Sequence, residues 1–269
     1  MQSELIISTY NKPNHLRVVL DSLLFQKVLP DSICIADDGS DKRTHELIKS
    51  FELKKNKINI RHEWHQDKGF RKNLIINKSI LSSGADYLIF IDDDCIMHPI
   101  FIQRHLSLAK QGSFLSGSVI RLNPEFSKNI LRDGFIKWNR KFYPLGWKPV
   151  SISERLKSMP LRPELMRVFD KILPINCSWS GGNASTFREH IMFVNGFNTI
   201  LNYGGEDKEF GVRLINAKIQ ARHLRYSAPL YHLDHDRKYI NIEQIHENRK
   251  IINKHRIDGT IKTKNGILK

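Results

Sequence analysis

In the stretch YLIFIDDDCIMHP, residues 87 to 99, three consecutive carboxylates follow directly on five apolar residues. Asp92, Asp93 and Asp94 repel one another, so either water solvates them at a loop or something positive belongs beside them. Carboxylates one residue apart at the end of a strand reach the same side. Together they offer hard oxygen ligands to a divalent cation such as Mg²⁺ or Mn²⁺. Such a cation would cancel the repulsion and could also hold a diphosphate. Farther along, YHLDHD places His232 and His235 after another apolar strand. Lone histidines are more often structural, but imidazole readily joins an oxygen ligand set. One of the two is expected to complete a shell begun by Asp94.

Other short motifs carry weaker signals. In NYGGEDKEFGVRL two glycines precede Glu206 and Asp207, which then fall in the first turn of a helix. The helix dipole stabilises carboxylates there, so this is either a plain helix start or a general base held anionic and presented by a glycine hinge. In DDGS, Asp37 or Asp38 could accept hydrogen bonds from a base or ribose; an Asx turn completed by Gly39 explains the same residues. In HQDKGFRKN, Gly69 would let the backbone approach a ligand closely. Lys68 and Arg71 at a helix start would suit phosphate, or simply solvate that start.

These groups need a frame. ELIIST reads as a strand, and Leu16, Val19, Leu20, Leu23 and Leu24 then recur at helical spacing, with Asn11 a plausible N-cap and Pro13 in the first turn. DSICIADD, KINIRHEWH and ADYLIFIDDD are further strands, each followed by a helical pattern. Strands alternating with helices of ten to fifteen residues predict a mostly parallel, doubly wound α/β sheet, and near-continuous apolar strands agree. In that architecture ligands bind at the carboxyl ends of the strands. Those ends carry Thr9, Tyr10 and Asn11; Asp37 and Asp38; residues 65–71; and the three aspartates. FLSGSVIRL reads as one more strand, and IQARHLRYSAPLYHLDHD as a strand pair. Residues 123–174 read as a helical insertion or lid within a single domain of residues 1–236. The basic extension 237–269 reads as partly helical at best.

Composition narrows the class. Two hundred and sixty-nine residues suffice for one large domain, and 40% hydrophobic content is ordinary for a globular chain. No apolar run approaches the roughly 20 residues that span a bilayer, and the N-terminus carries no pattern of a signal peptide. Cys34, Cys95 and Cys177 lack CxxC spacing, which argues for a reducing compartment and against a zinc or disulfide scaffold. The net charge of +15 predicts attraction to something anionic. Nucleic acid is not the expected partner, because the strand ends are acidic and no nucleic-acid-binding signature appears. A nucleotidyltransferase would carry a Gly- and Arg-rich loop after the first strand, where this chain has TYNKPNHL.

The collinear series ISTYNKPNHL, ADDGS, DKGFRKNLIINKSI, FIDDDC, SGGNASTFR, GGEDKEFGVRL and YHLDH resembles the family 2 glycosyltransferases, which have the GT-A fold. It looks most like the bacterial type that builds lipopolysaccharide, capsule or chondroitin-like chains. The resemblance covers residues 3 to about 236. It implies a fold with a Rossmann-like nucleotide-binding sheet and flanking helices. It also implies inverting transfer of a hexose or N-acetylhexosamine from a UDP-sugar held with Mn²⁺ or Mg²⁺.

By the same resemblance, Thr9, Tyr10, Asn11, Asp37, Asp38, Lys68, Gly69, Arg71, Asp92 and Asp93 bind the nucleotide-sugar. The resemblance makes Asp94 the direct metal ligand, with Asp92 nearer the ribose and His232 the histidine that fits best; His235 is the other candidate ligand from the YHLDHD spacing. Asp207 is the preferred base beside Glu206. Trp179, Gly181, Gly182 and Gly205 lie on the acceptor side, where an indole would give a stacking face to a sugar unless it is a core residue. The implied acceptor is a glycan or glycolipid. The excess positive charge points to a cytoplasmic location on the inner face of the membrane, where a lipid-linked acceptor grows, with the basic insertion and extension docked on anionic lipid.

Overall fold

The computed structural model of the chain describes residues 1–54, 58–138, 144–149, 151–158, 163–172, 177–235 and 241–268. Parts of the expected insertion, and residues 236–240 of the expected extension, lie outside that set. The first half builds the alternation that its periodicity predicts. Strands β1 (Ser3–Thr9), β2 (Ser32–Asp37), β3 (Asn59–Trp64) and β4 (Tyr87–Asp92) are separated by helices α1 (Pro13–Ser22), α2 (Lys42–Lys54) and α3 (Lys72–Leu81). Pro13 opens α1, where its missing N–H costs nothing, and Leu16, Val19 and Leu20 turn inward. Asn11 is not the cap: it adopts a left-handed φ of 52°, and Lys12 takes the cap position without a side-chain bond.

Then come β5 (Cys95–Met97), α4 (Phe101–Leu108), β6 (Ser113–Ser116), β7 (Ile120–Arg121), α5 (Pro124–Asp133), α6 (Ile152–Ser158) and α7 (Pro163–Ile172). The chain continues through β8 (Ala184–Phe187), α8 (Arg188–Phe193), α9 (Glu206–Asn216), β9 (Gln220–His223), β10 (Leu230–His232) and α10 (Ile242–Ile257). Among the described residues the large sheet has seven strands in the order β3-β2-β1-β4-β8-β6-β9. β1, β2, β3 and β4 pair in parallel, as do β6 and β9, whereas β8 runs against both of its neighbours.

Successive β1 side chains point to opposite faces. Leu5 and Ile7 join α1, α2 and α4 in one core, while Ile6 joins α3, α8 and α9 in the other. Burying each such side chain fully stabilises by about 1.5–3 kcal/mol.

Two features place the site. Strand order reverses between β1 and β4, which opens a crevice at their carboxyl ends. Because β8 is antiparallel, with Ala184 opposite Phe90, its first residues arrive at that same edge. A second, three-stranded sheet, β5-β10-β7, lies beyond it.

This small sheet corrects two expectations. FLSGSVIRL is not one strand but β6 in the large sheet and β7 in the small one. β9 and β10 are likewise no pair: β9 lies beside β6, and β10 lies between β5 and β7. The polar extension is also more ordered than its composition suggests. α10 is a 16-residue helix capped by Asn241, and Asn248 and Ile252 are buried against the rest of the protein.

Candidate active site

A cleft of about 280 Å³ opens at the β1/β4 crevice. Its walls include Thr9, Tyr10, Asp38, Gly69, Asp92, Asp93, Asp94 and Glu206, all expected from the sequence. They also include Lys12, Phe70, Lys72 and Tyr203, which were not. Asp207, the preferred base, is not among them and stands behind Glu206 and Lys72. The three aspartates solve their repulsion separately. Asp92 Oδ1 accepts from Ser8 Oγ at 2.5 Å and from Lys72 Nζ at 2.7 Å. Asp93 Oδ2 accepts from Thr9 Oγ1 at 2.8 Å, and burial together with the neighbouring Asp94 pushes its carboxyl up to about 7. Burial also opposes ionisation of Asp94. There, however, the hydrogen bond from His235 and the charges of His232 and Lys12 win, holding it well below the usual carboxylate range.

Lys12 Nζ lies 3.0 Å from Asp94 Oδ2 and 3.8 Å from Asp93 Oδ1. Burial works against the charge of Lys72, yet Asp92, Asp207 and Glu206 around it raise its pKa well above the ordinary value. The sequence reading gave neutralisation of the aspartates to a dication alone; two lysines share that task. Both sit at the start of a helix, where a lysine reads as a solvated group.

The expected metal cluster assembles around Asp94. His235 Nε2 is 2.9 Å from Asp94 Oδ2 and His232 Nε2 is 3.5 Å from Oδ1, and the three residues' ligand atoms all lie within 4.8 Å of one another. Mixed carboxylate and imidazole donors this close together fit a divalent cation of the Mn²⁺ type. Asp92 groups instead with Asp94 and Cys95. Burial raises the Cys95 thiol far above its ordinary value, so it stays protonated and donates to Asp94 Oδ1 at 3.4 Å. His15 of α1, not singled out in the sequence, stands edge-on to His235 with ring centroids 6.1 Å apart. Burial, helped by Lys12, lowers its pKa to about 4.

Several expectations need correction. Asp37 does not face the cleft: its Oδ1 accepts from Ser40 N–H at 2.8 Å and its Oδ2 pairs with His62 at 3.0 Å. Asp38 is the one that lines it, held by His65 and by the Arg71 backbone N–H. Asn11 braces the β1 and β2 ends, taking a bond from Asp41 N–H and donating its own N–H to Ser40 Oγ. It is absent from the cleft wall. Lys68 is exposed, and the Arg71 guanidinium folds back onto the Gln66 carbonyl, so neither reaches the cleft.

Trp179 is 1% exposed and boxed by Phe90, Phe114, Phe197 and Phe210, so it gives no ring face to a sugar. Its indole is a core plug. The adjacent glycines matter for a different reason. A Cβ on Gly181 would lie 2.5 Å from an Asp207 carboxylate oxygen, and one on Gly182 would lie 3.0 Å from Asp92 Oδ2. Only bare backbone fits between the two carboxylates.

Asp207 accepts from Gly181 N–H at 3.0 Å. The sequence reading had the helix dipole keep it anionic, but burial prevails. With Glu206 and Asp92 nearby, and despite Lys72, its pKa rises to about 7. That value suits a base near neutrality. Glu206, also in the first turn of α9, turns back to accept from Gly204 N–H at 2.8 Å. Gly204 and Gly205 take φ of +108° and +110°, a region that admits glycine with least strain, and so let the chain turn sharply into α9.

A seven-stranded sheet with an acidic switch-point cleft defines a nucleotide-handling α/β enzyme frame. The family model for glycosyl transferase family 2 matches residues 4–173, and the chain belongs to that family. A second model, described as the N-terminal domain of galactosyltransferase, matches residues 167–236.

The chain is 24% identical over 223 residues to a chondroitin synthase of Escherichia coli, covering 78% of this chain and 32% of that protein. The same identity and share of this chain hold for a hyaluronan synthase of Pasteurella multocida, of which 22% is covered. The chain thus spans a third or less of the length of these relatives.

Among solved structures, S. aureus TarS aligns with a TM-score of 0.62 at 14% identity, over 95% of this chain and 39% of that one. TarS 1–349 in complex with UDP-GlcNAc gives 0.61 at 16%, over 94% and 65%. Mannosyltransferase PcManGT from Pyrobaculum calidifontis, in complex with GDP-Man and Mn²⁺, gives 0.58 at 15%, over 88% and 58%. These likenesses establish the GT-A fold.

Proposed function

We propose that this glycosyltransferase moves a hexose or N-acetylhexosamine from a UDP-sugar to a hydroxyl of a growing surface glycan, such as lipopolysaccharide or capsule, with inversion. The observation that carries the reading is the Asp94, His232 and His235 cluster at the edge of a cleft walled by Thr9, Tyr10 and Asp38. The polysaccharide synthases among its relatives, and the UDP-GlcNAc-bound neighbour, support the acceptor and donor classes.

Asp94, His232 and His235 would hold Mn²⁺ or Mg²⁺, which supplies positive charge to the departing diphosphate. Thr9, Tyr10 and Asp38 receive the nucleoside. Lys12 and Lys72, already paired to the aspartates, add cationic charge on the side where the diphosphate would lie. Asp207 takes the proton of the acceptor hydroxyl. The acceptor oxygen then bonds to the anomeric carbon while the bond to the β-phosphate oxygen breaks and its electron pair leaves with UDP. The enzyme would work in the cytoplasm at the inner membrane face, on a lipid-linked acceptor.

Replacing Asp94 by alanine tests this reading. Calorimetry should register loss of Mn²⁺ uptake, and UDP-sugar turnover should fall by about 10²-fold or more, as when a transition-state charge stabiliser is removed. Intact metal uptake and turnover in that variant would end the proposal.

A further inference from the structure

The helix α10 lies beyond the residues matched by either family model, which end at 236, yet it holds the loop that enters α9. Asn248 is fully buried on its inner face. The side-chain amide nitrogen of Asn248 faces three successive main-chain carbonyls: Asn202 at 2.9 Å, Tyr203 at 3.5 Å and Gly204 at 3.1 Å. Its Oδ1 accepts from Gln244 Nε2 at 3.2 Å, and Gln244 Oε1 accepts from Asn202 Nδ2 at 3.2 Å, which closes the network. Gly204 is therefore gripped twice, its N–H by Glu206 and its carbonyl by Asn248.

Packing repeats the message. A Cβ on Gly204 would come 2.5 Å from Ile245, and one on Gly205 would come 2.9 Å from Ile252, so both glycines run tight beneath α10. The last turn of the same helix grips α9 at both its first turn and its end. His255 Nδ1 lies 2.9 Å from buried Glu209 Oε1, and Asn216 Nδ2 donates to the His255 carbonyl at 2.8 Å. The two N–H groups of one buried amide, shared among three consecutive part-buried carbonyls, tie the course of the loop to α10. That loop carries Tyr203, which stands in the cleft wall edge-on to Phe70, and runs directly into Glu206 and Asp207.

We propose that α10 is a strap that sets the reactive end of α9, with Asn248 as its positioning residue; the catalytic part of this rests on the function proposed above. Asn248 is not part of the cleft wall. It acts through the Tyr203–Gly205 backbone, on which the place of Asp207 depends. Displacing a catalytic group by about 1 Å can cost about 10²-fold in rate.

The test uses the full chain with Asn248→Ala and Asn248→Asp, the second keeping the shape while removing the donor. Ile48→Ala, in the opposite core on α2, serves as a control for lost stability. Hydrogen exchange at residues 203–207 should quicken in both Asn248 variants and not in the control. With UDP-sugar and Mn²⁺, kcat should fall about 10- to 100-fold, by more than the donor KM rises, while Ile48→Ala keeps its kcat below its melting range. Unchanged exchange at 203–207, or an equal loss of kcat in Ile48→Ala, overturns the strap. Should the unaltered protein turn over no UDP-sugar, the functional reading fails, and exchange at 203–207 still decides whether Asn248 positions the loop.

Discussion

Asp207 meets two opposed influences: a helix N-terminus that favours its anion, and burial beside Glu206 and Asp92 that favours its acid. Burial prevails, and the group titrates at about 7. A base must be unprotonated to accept a proton, so turnover should fall as pH drops through about 7 and level off above it. A pH series of kcat/KM reads this directly, and a flat profile from pH 6 to 8 would contradict the role. Asp207→Asn should lose about 10²- to 10⁴-fold in kcat above pH 7, with the gap narrowing as pH falls and little change in donor KM. At this scale much was legible in the sequence. The three aspartates, both histidines and the acidic pair declared themselves by order along the chain and by position after strands. Lys12 and Lys72 did not, because a lysine near a helix start has the same local pattern whether it meets water or a carboxylate. Trp179 misled, because the sequence places it beside glycines but does not say which way its ring turns.

The elements explain why the glycines are where they are. β8 enters the sheet against the direction of β4, so the turn before it must pass between Asp92 and Asp207. Gly181→Ala should therefore push the Asp207 carboxylate aside, with kcat reduced about 10- to 100-fold and the Mn²⁺ affinity proposed for the Asp94 cluster unchanged. A Gly181→Ala enzyme with ordinary turnover would show that the turn has room to spare. The alternation of β1 through β4 with α1 to α3 was readable because β1, β2 and β4 each carry an apolar run and α1 repeats its apolar groups at helical spacing. By contrast β3, NIRHEW, is polar and was placed by its position between two helices. The division of β6 from β7, and of β9 from β10, was not readable. Those strands are two to four residues long, too short to show a period, and only pairing in space tells which sheet each joins. α10 was underestimated for a related reason: it turns few apolar groups inward and docks through Asn248 and Ile252 instead.

Taken whole, the molecule carries a net charge of +15 while its cleft is lined with carboxylates, so the excess positive charge lies elsewhere. α7 leaves Leu165, Val168 and Ile172 exposed along one side, and exposed Lys171 lies beside them. Apolar groups flanked by basic ones suit an anionic bilayer surface, where each Lys or Arg contributes about 1 kcal/mol. Among the described residues no helix is long and apolar enough to cross a membrane. Vesicles containing phosphatidylglycerol should pellet the protein at low salt and release it as salt rises, and failure to bind at low salt would remove the membrane from the proposal. The small sheet has an effect of its own. Leu233 N–H donates to the Asp94 carbonyl at 2.8 Å, and His232 stands opposite Cys95 in the β5–β10 pairing. The spacing of the donor atoms is thus inherited from main-chain register, and a slip of one residue would present Tyr231 or Leu233 in place of the imidazole. For the proposed ion, the His232 side of the seat is held by strand pairing, while His235 reaches Asp94 from the irregular chain that follows β10. A chelator should therefore leave the small sheet folded.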